Sequence, residues 1–173
     1  MARDQRCAEI GPGAAISMSD EQFMRQALAE AEAGLRGNCG GPFGCVIVRD
    51  GAIVARGKNC VTSTNDPTAH AEIAAIRESC RALNRYSLED CTLYASCEPC
   101  PMCLAAIFWA RITRVFYANT RADAAAIGFD DDFIYRQVAL PPGQRAIDMR
   151  QLLRDEAQAA FREWRAKPDK LPY

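Results

Sequence analysis

The order of apolar and turn-forming segments predicts an α/β fold, a three-layer α/β/α sandwich around a central mixed β-sheet. Three observations carry this expectation. Two Val/Ile-rich runs are joined by Asp50-Gly51, a two-residue link that favours a tight hairpin. Two later apolar runs flank a helix-like segment, which implies parallel pairing through a crossover. At 173 residues, with 49% hydrophobic and 25% charged side chains, the chain suits one well-filled core and is short for two.

The elements follow in order. Residues 1–18 mix charges with Gly11-Pro12-Gly13 and read as a loose tail, so a single domain is expected over 19–173. Ser19 with Gln22 forms a capping-box pattern, and Met18 can staple onto Phe23. Phe23, Ala27, Leu28 and Ala31 then recur at helical spacing to about Ala33, where Gly34 and Gly37 close the helix. Phe43 to Arg49 and Ala52 to Lys58 are the hairpin strands. Asp66-Pro67-Thr68 opens a second helix, with Pro67 in its first turn, running to about Leu83. Cys91 to Ser96 reads as a buried strand, Met102 to Ala110 as a third helix, and Arg114 to Tyr117 as a short strand. Ala122 to Ala126 is a short helix, and Asp148 to Ala166 has the spacing of a closing amphipathic helix.

Composition narrows the function. The formal net charge is −1 and the pI about 5.9, which lacks the basic excess of a nucleic-acid binder. No apolar stretch reaches bilayer length and the first residues lack the apolar middle of an export signal, so neither a membrane partner nor secretion is expected. Nine cysteines, an odd number, fit a reducing, cytoplasmic compartment in which most are small buried thiols.

The chemistry sits in two short segments. The one histidine of the chain lies in His70-Ala71-Glu72, thirty residues ahead of Pro99-Cys100-Pro101-Met102-Cys103. Cys100 and Cys103, three apart at a helix start, share one face and can share a metal. The helix field there favours thiolates, and near the other helix start it favours a neutral imidazole. Three protein ligands leave one zinc position open for water, whereas structural zinc usually closes with four. Glu72, two positions from His70, does not share its face and is free to act as acid/base beside the water. Each part alone is weak: a Cys-x-x-Cys pair, a lone His and a helix Glu all have commonplace structural explanations. Their joint spacing, with Pro before each cysteine, is specific. Cys97, three residues before Cys100 at the strand end, offers an alternative ligand.

These residues resemble the cytidine/deoxycytidylate deaminase superfamily, whose signature is His-x-Glu followed by Pro-Cys-x-x-Cys. The resemblance covers about Ser19 to Tyr173 and implies one Zn²⁺ per subunit on His70, Cys100 and Cys103, with Glu72 as proton shuttle. Within it, the stretches Gly40-Gly41-Pro42-Phe43-Gly44, Asn65 to Glu72 and Phe108 to Arg111 are matched. Gly128-Phe129-Asp130-Asp131 and the terminal Tyr173 are similar to the guanine-acting branch. That branch implies substrate contacts from Asn59 and Asp131, with Asp131 assisting catalysis and Tyr173 closing the pocket. Phe43 and Trp109 are further candidates for stacking on a base. A small purine base is then the expected partner, in a homodimer that can exchange its C-terminal segment. The competing readings are a tRNA adenosine deaminase, a cytosine or nucleoside deaminase, and a zinc-bound interaction module. The acidic balance disfavours the first, and retention of Glu72 beside a three-ligand set disfavours the last.

Overall fold

The computed structural model describes residues 18–172. The expected tail therefore lies outside it except for Met18, as do the contacts assigned to the side chains of Met18 and Ser19 and the role assigned to Tyr173.

Helix α1 (Met18–Arg36) precedes strands β1 (Gly44–Arg49) and β2 (Ala52–Lys58). Asp50 and Gly51 between them both take positive φ, 49° and 75°, so the hairpin turn follows the twist of the strands. After a short helix α2 (Val61–Thr64) come α3 (Ala71–Ala82), β3 (Thr92–Cys97), α4 (Pro101–Trp109) and β4 (Arg114–Asn119). Helices α5 (Arg121–Ala126), α6 (Asp132–Ala139) and α7 (Arg154–Ala166) complete the order.

The sheet runs β2-β1-β3-β4. β1 is antiparallel to both neighbours, while β3 and β4 are parallel, linked by the crossover through α4. Successive side chains of a strand face opposite ways, and β1 uses both faces. Cys45 and Ile47 join Ala71, Ala75, Leu93 and Ile107 in the core under α3 and α4. Val46 and Val48 pack with Tyr94 under Ala27 of α1. A strand covered on both sides is apolar throughout instead of alternating, which is why β1 reads as a continuous hydrophobic run. The mixed three-layer sandwich expected from the sequence is the one observed.

The larger departures from the expected boundaries follow local geometry. α1 passes through Gly34 to Arg36. It stops where Asn38 enters the left-handed region at φ 51°, with Cys39 N donating to Gly34 O and Asn38 N to Leu35 O. This is a Schellman closure with Asn in the usual glycine position. α3 starts at Ala71, not at Pro67, because the Asp66 carboxylate accepts from both the Thr68 amide and hydroxyl at 2.8 and 2.7 Å, folding 66–68 into a side-chain-closed turn. α6, unassigned in the sequence, begins inside the acidic run. α7 begins six residues later than expected because Leu153 takes φ 50°, which a right-handed helix cannot include.

The seat of α3 depends on Gly57. A Cβ there would lie 2.0 Å from Ala71 O and 2.8 Å from Ala75 N, so β2 and the first turn of α3 touch backbone to backbone. Gly57→Ala should therefore lower the melting temperature by about 5 °C or more, as overpacking against rigid backbone costs roughly 1–3 kcal/mol. Gly143→Ala, where a Cβ meets nothing within 4 Å, should leave it unchanged. Equal melting of both variants by circular dichroism would contradict this account of the packing.

Candidate metal centre and active-site pocket

Two helix starts meet above the sheet. His70 is the N-cap of α3 and its carbonyl accepts from Ala74 N at 3.0 Å. Cys100 is the N-cap of α4 and its carbonyl accepts from Leu104 N at 2.8 Å. Pro101 takes the first helical position, where its missing N–H has no intrahelical acceptor to serve. The arrangement brings His70 Nδ1 to 3.6 Å from Cys100 Sγ and 3.5 Å from Cys103 Sγ. All three donor atoms lie within 4.8 Å of one another. A tetrahedral zinc at ordinary Zn–N and Zn–S lengths requires N···S edges of about 3.6 Å, so the trio fits that ion. Ile73 packs against both cysteines from beneath and shields them from water.

The electrostatics are those of a cation site. The Cys100 thiol is drawn down to about 4, chiefly by the hydrogen bond from Cys103 and then by His70. Donating that proton, and being buried, pushes Cys103 up. His70 is raised, first by its hydrogen bond to Cys100. A divalent cation between these groups takes the place of the shared protons. Cys97 stands apart: burial lifts it to about 11, and its Sγ lies 3.5 Å from Thr120 O at the end of β4. It belongs to the pocket wall and not to the donor cluster.

Glu72 is in the first turn of α3 and buried, and desolvation there raises its carboxyl above the ordinary value. A buried carboxyl binds its proton more tightly than an exposed one, which suits it to exchange protons with a neighbouring group. Asn59, 5% exposed, follows β2. Its Oδ1 accepts from Gly41 N at 3.1 Å and Val61 N at 3.2 Å. That use of the oxygen fixes the amide and leaves its NH₂ as the group to serve a ligand. A Cβ on Gly40 would stand 2.1 Å from the same oxygen, so the approach requires glycine.

The opposite wall comes from 127–132. Asp130 Oδ1 accepts from Asp132 N at 3.0 Å, and Asp132 pairs with Arg136. Asp131 makes no cap bond to its own helix. Its carboxyl is raised by desolvation and then by the Cys100 charge, and it lines the same cavity as His70 and Cys100. Phe129 meets Phe43 edge to face, ring centroids 4.9 Å apart. Together these groups line a cavity of about 250 Å³ that contains His70, Glu72, Cys100, Asn59, Asp131 and Phe43.

Trp109 is not among them. It is 64% exposed at the far end of α4, lining a separate groove with Ile76 and Tyr86. Six residues beyond Cys103, it points away from the face that carries the sulfurs. Ser96, Glu98 and Phe129, given no role from the sequence, also reach the cavity through strand register and loop closure.

A family model for the cytidine and deoxycytidylate deaminase zinc-binding region matches residues 17–119. The guanine deaminase of Bacillus subtilis is 51% identical over 156 residues, 90% of this chain and 100% of that protein. The X-ray structure of guanine deaminase from the same organism superposes with a TM-score of 0.86 at 50% identity, covering 91% of this chain and 99% of that one. The tRNA-specific adenosine deaminase of Agrobacterium fabrum is 50% identical over a shorter span, 106 residues, 61% of this chain and 68% of its own. With the matched region spanning the elements that carry His70, Glu72, Cys100 and Cys103, this chain belongs to the cytidine and deoxycytidylate deaminase family.

Proposed function

We propose that this chain catalyses the zinc-dependent hydrolysis of guanine to xanthine and ammonia, a step of purine breakdown or salvage. The observation that carries the reading is the fixed orientation of Asn59. Its oxygen is engaged by two backbone amides, so it offers donors to the pocket, while Asp131 across the cavity offers acceptors. Guanine presents the complement: O6 and N7 accept, and N1–H with the 2-amino group donate. Adenine, with a donor at position 6 and an acceptor at N1, mismatches both. The cavity, about 250 Å³, is below the roughly 300–1,000 Å³ of drug-sized sites and suits a free base. Two relatives whose own length this chain matches almost end to end bear the same activity in their names.

His70, Cys100 and Cys103 would hold the zinc. Bound there, it supplies Lewis-acid activation of water near neutral pH. Glu72 takes a proton from the attacking water and returns it to the ring nitrogen next to C2. Asp131 accepts from the purine N–H groups and orients the 2-amino group; as the C2 hydroxyl collapses to the carbonyl, Asp131 takes its proton and passes it to the amine while the C2–N bond breaks. Phe43 and Phe129, packed edge to face on each other, form one apolar wall for the ring and keep bulk water out.

The reading extends to a cytoplasmic homodimer with an exchanged C-terminal segment. Eight free thiols among the described residues suit a reducing compartment. No described helix is long and apolar enough to cross a membrane. α7 buries none of its residues within its own chain and leaves Phe161 69% exposed. Pro172 O accepts from the Tyr86 hydroxyl at 2.9 Å, just beyond the C-terminal end of α3. That end is about 18 Å from His70 by helix length, which supports Tyr173 serving a neighbouring subunit's pocket. Sedimentation equilibrium should return twice the 19.0 kDa chain mass.

The activity is tested by incubating purified protein with guanine, adenine, cytosine, guanosine and an adenosine-bearing tRNA anticodon stem. Ammonia should appear with guanine, and preference for another substrate refutes the assignment. Glu72→Gln should keep one zinc per chain while kcat falls by about a thousandfold. Near-parental turnover would remove Glu72 from the proton path. Asp131→Ala should reduce kcat by about a hundredfold with an unchanged melting temperature, and unaltered kinetics would remove it from the site.

A further inference from the structure

The segment that carries Asp131 is held by few contacts. No residue of α6 is buried, and Phe133 and Ile134 of its first turn are 51% and 43% exposed. Hydrophobic packing within the chain therefore does little to fix the Asp131 carboxylate relative to the cysteine pair.

Two consecutive residues of the loop leading to Cys100 do the fastening. Glu98 Oε2 accepts from Arg121 N, the first residue of α5, at 3.0 Å, and Glu98 N donates to Asn119 O at 2.8 Å. The Tyr135 hydroxyl donates to Pro99 O at 3.0 Å. The Arg121 guanidinium stacks over the Tyr135 ring, 5.1 Å from its centroid, joining the two anchors. Between them, Phe129 N donates to Ala124 O at 3.0 Å and Tyr135 N to Asp131 O at 3.0 Å. Asp131 and Tyr135 stand four apart, so they share a helical face one turn from each other. The wall bearing Phe129 and Asp131 is thus hung between Glu98 and Pro99, the two residues that immediately precede the first sulfur ligand.

We propose that Tyr135 is a positioning residue: its hydroxyl, bound to Pro99 O, fixes the reach of the Asp131 carboxylate toward the metal ligands. The proposal rests on the guanine reading for its kinetic consequence and on the hydrogen-bond geometry alone for its structural one. The strand-to-helix loop that delivers Cys100 then also locates the acid/base group across from it. Loss of one hydroxyl loosens that group without removing any atom that touches substrate.

Tyr135→Phe keeps the ring and its cation contact and deletes only the bond to Pro99. In the zinc-loaded enzyme it should lower kcat for guanine by roughly tenfold, since small misplacements of a reacting group are costly, with zinc content and melting temperature unchanged. In an Asp131→Ala background the same substitution should change kcat less than about twofold, as expected when one residue acts through the other. Amide hydrogen exchange read by mass spectrometry should quicken across 127–135 and stay constant in the sheet. An equal kcat loss in both backgrounds would overturn the proposal, as would unchanged exchange over 127–135 or exchange raised equally throughout. If the parent released no ammonia from guanine, the substrate reading would fall, and the exchange result would still decide the role of Tyr135.

Discussion

The convergence of two helix N-termini is the constraint on which the rest depends. His70 and Cys100 each cap a helix with their backbone and hold a donor atom in the gap between. That gap is set by how α3 lies on β2, where Gly57 lets backbone meet backbone, and by how α4 follows β3 across the sheet. The hydrophobic group of Ile73, Cys100 and Cys103 seals the underside. Burial there raises the cost of an unshared charge, and one histidine with two sulfurs is a set that a cation neutralises. The same burial raises the Glu72 carboxyl above its ordinary value, which suits the proton-shuttle role proposed for it.

Around this centre the pocket divides its hydrogen-bonding roles by using up some groups internally. The Asn59 oxygen is spent on Gly41 and Val61, so its NH₂ faces the ligand. In the acidic triplet, Asp130 closes a turn and Asp132 pairs with Arg136, leaving Asp131 for the cavity. A donor wall facing an acceptor wall is a selective arrangement, because a ligand that mismatches it strands buried polar groups. Selectivity here follows from what neighbouring backbone has already claimed.

Much of this was legible beforehand. His70, Glu72, Cys100 and Cys103 fall in short segments whose spacing reports metal chemistry wherever they fold, and Asp50-Gly51 marks its hairpin by turn chemistry alone. The start of α3 was misplaced because Pro67 suits a first helical turn, whereas the Asp66 side chain closes 66–68 on itself. Trp109 follows a metal motif closely in sequence, yet the helix rotates it to the outer surface. α6 went unassigned, and within its acidic run Asp130 closes on Asp132 N and Asp132 pairs with Arg136, which leaves Asp131 to the cavity wall.

The sequence by itself determined the candidate ligand set, the candidate acid/base carboxylate and the alternation of strands and helices, because each is encoded within a few adjacent residues or one hydrophobic period. Only the tertiary structure decided which Asp faces the cavity, which way the Asn59 amide points, and that Glu98 and Tyr135 suspend the far wall from the cysteine loop. Those facts are hydrogen bonds between segments up to 36 residues apart. They exist only after the sheet has brought the segments together.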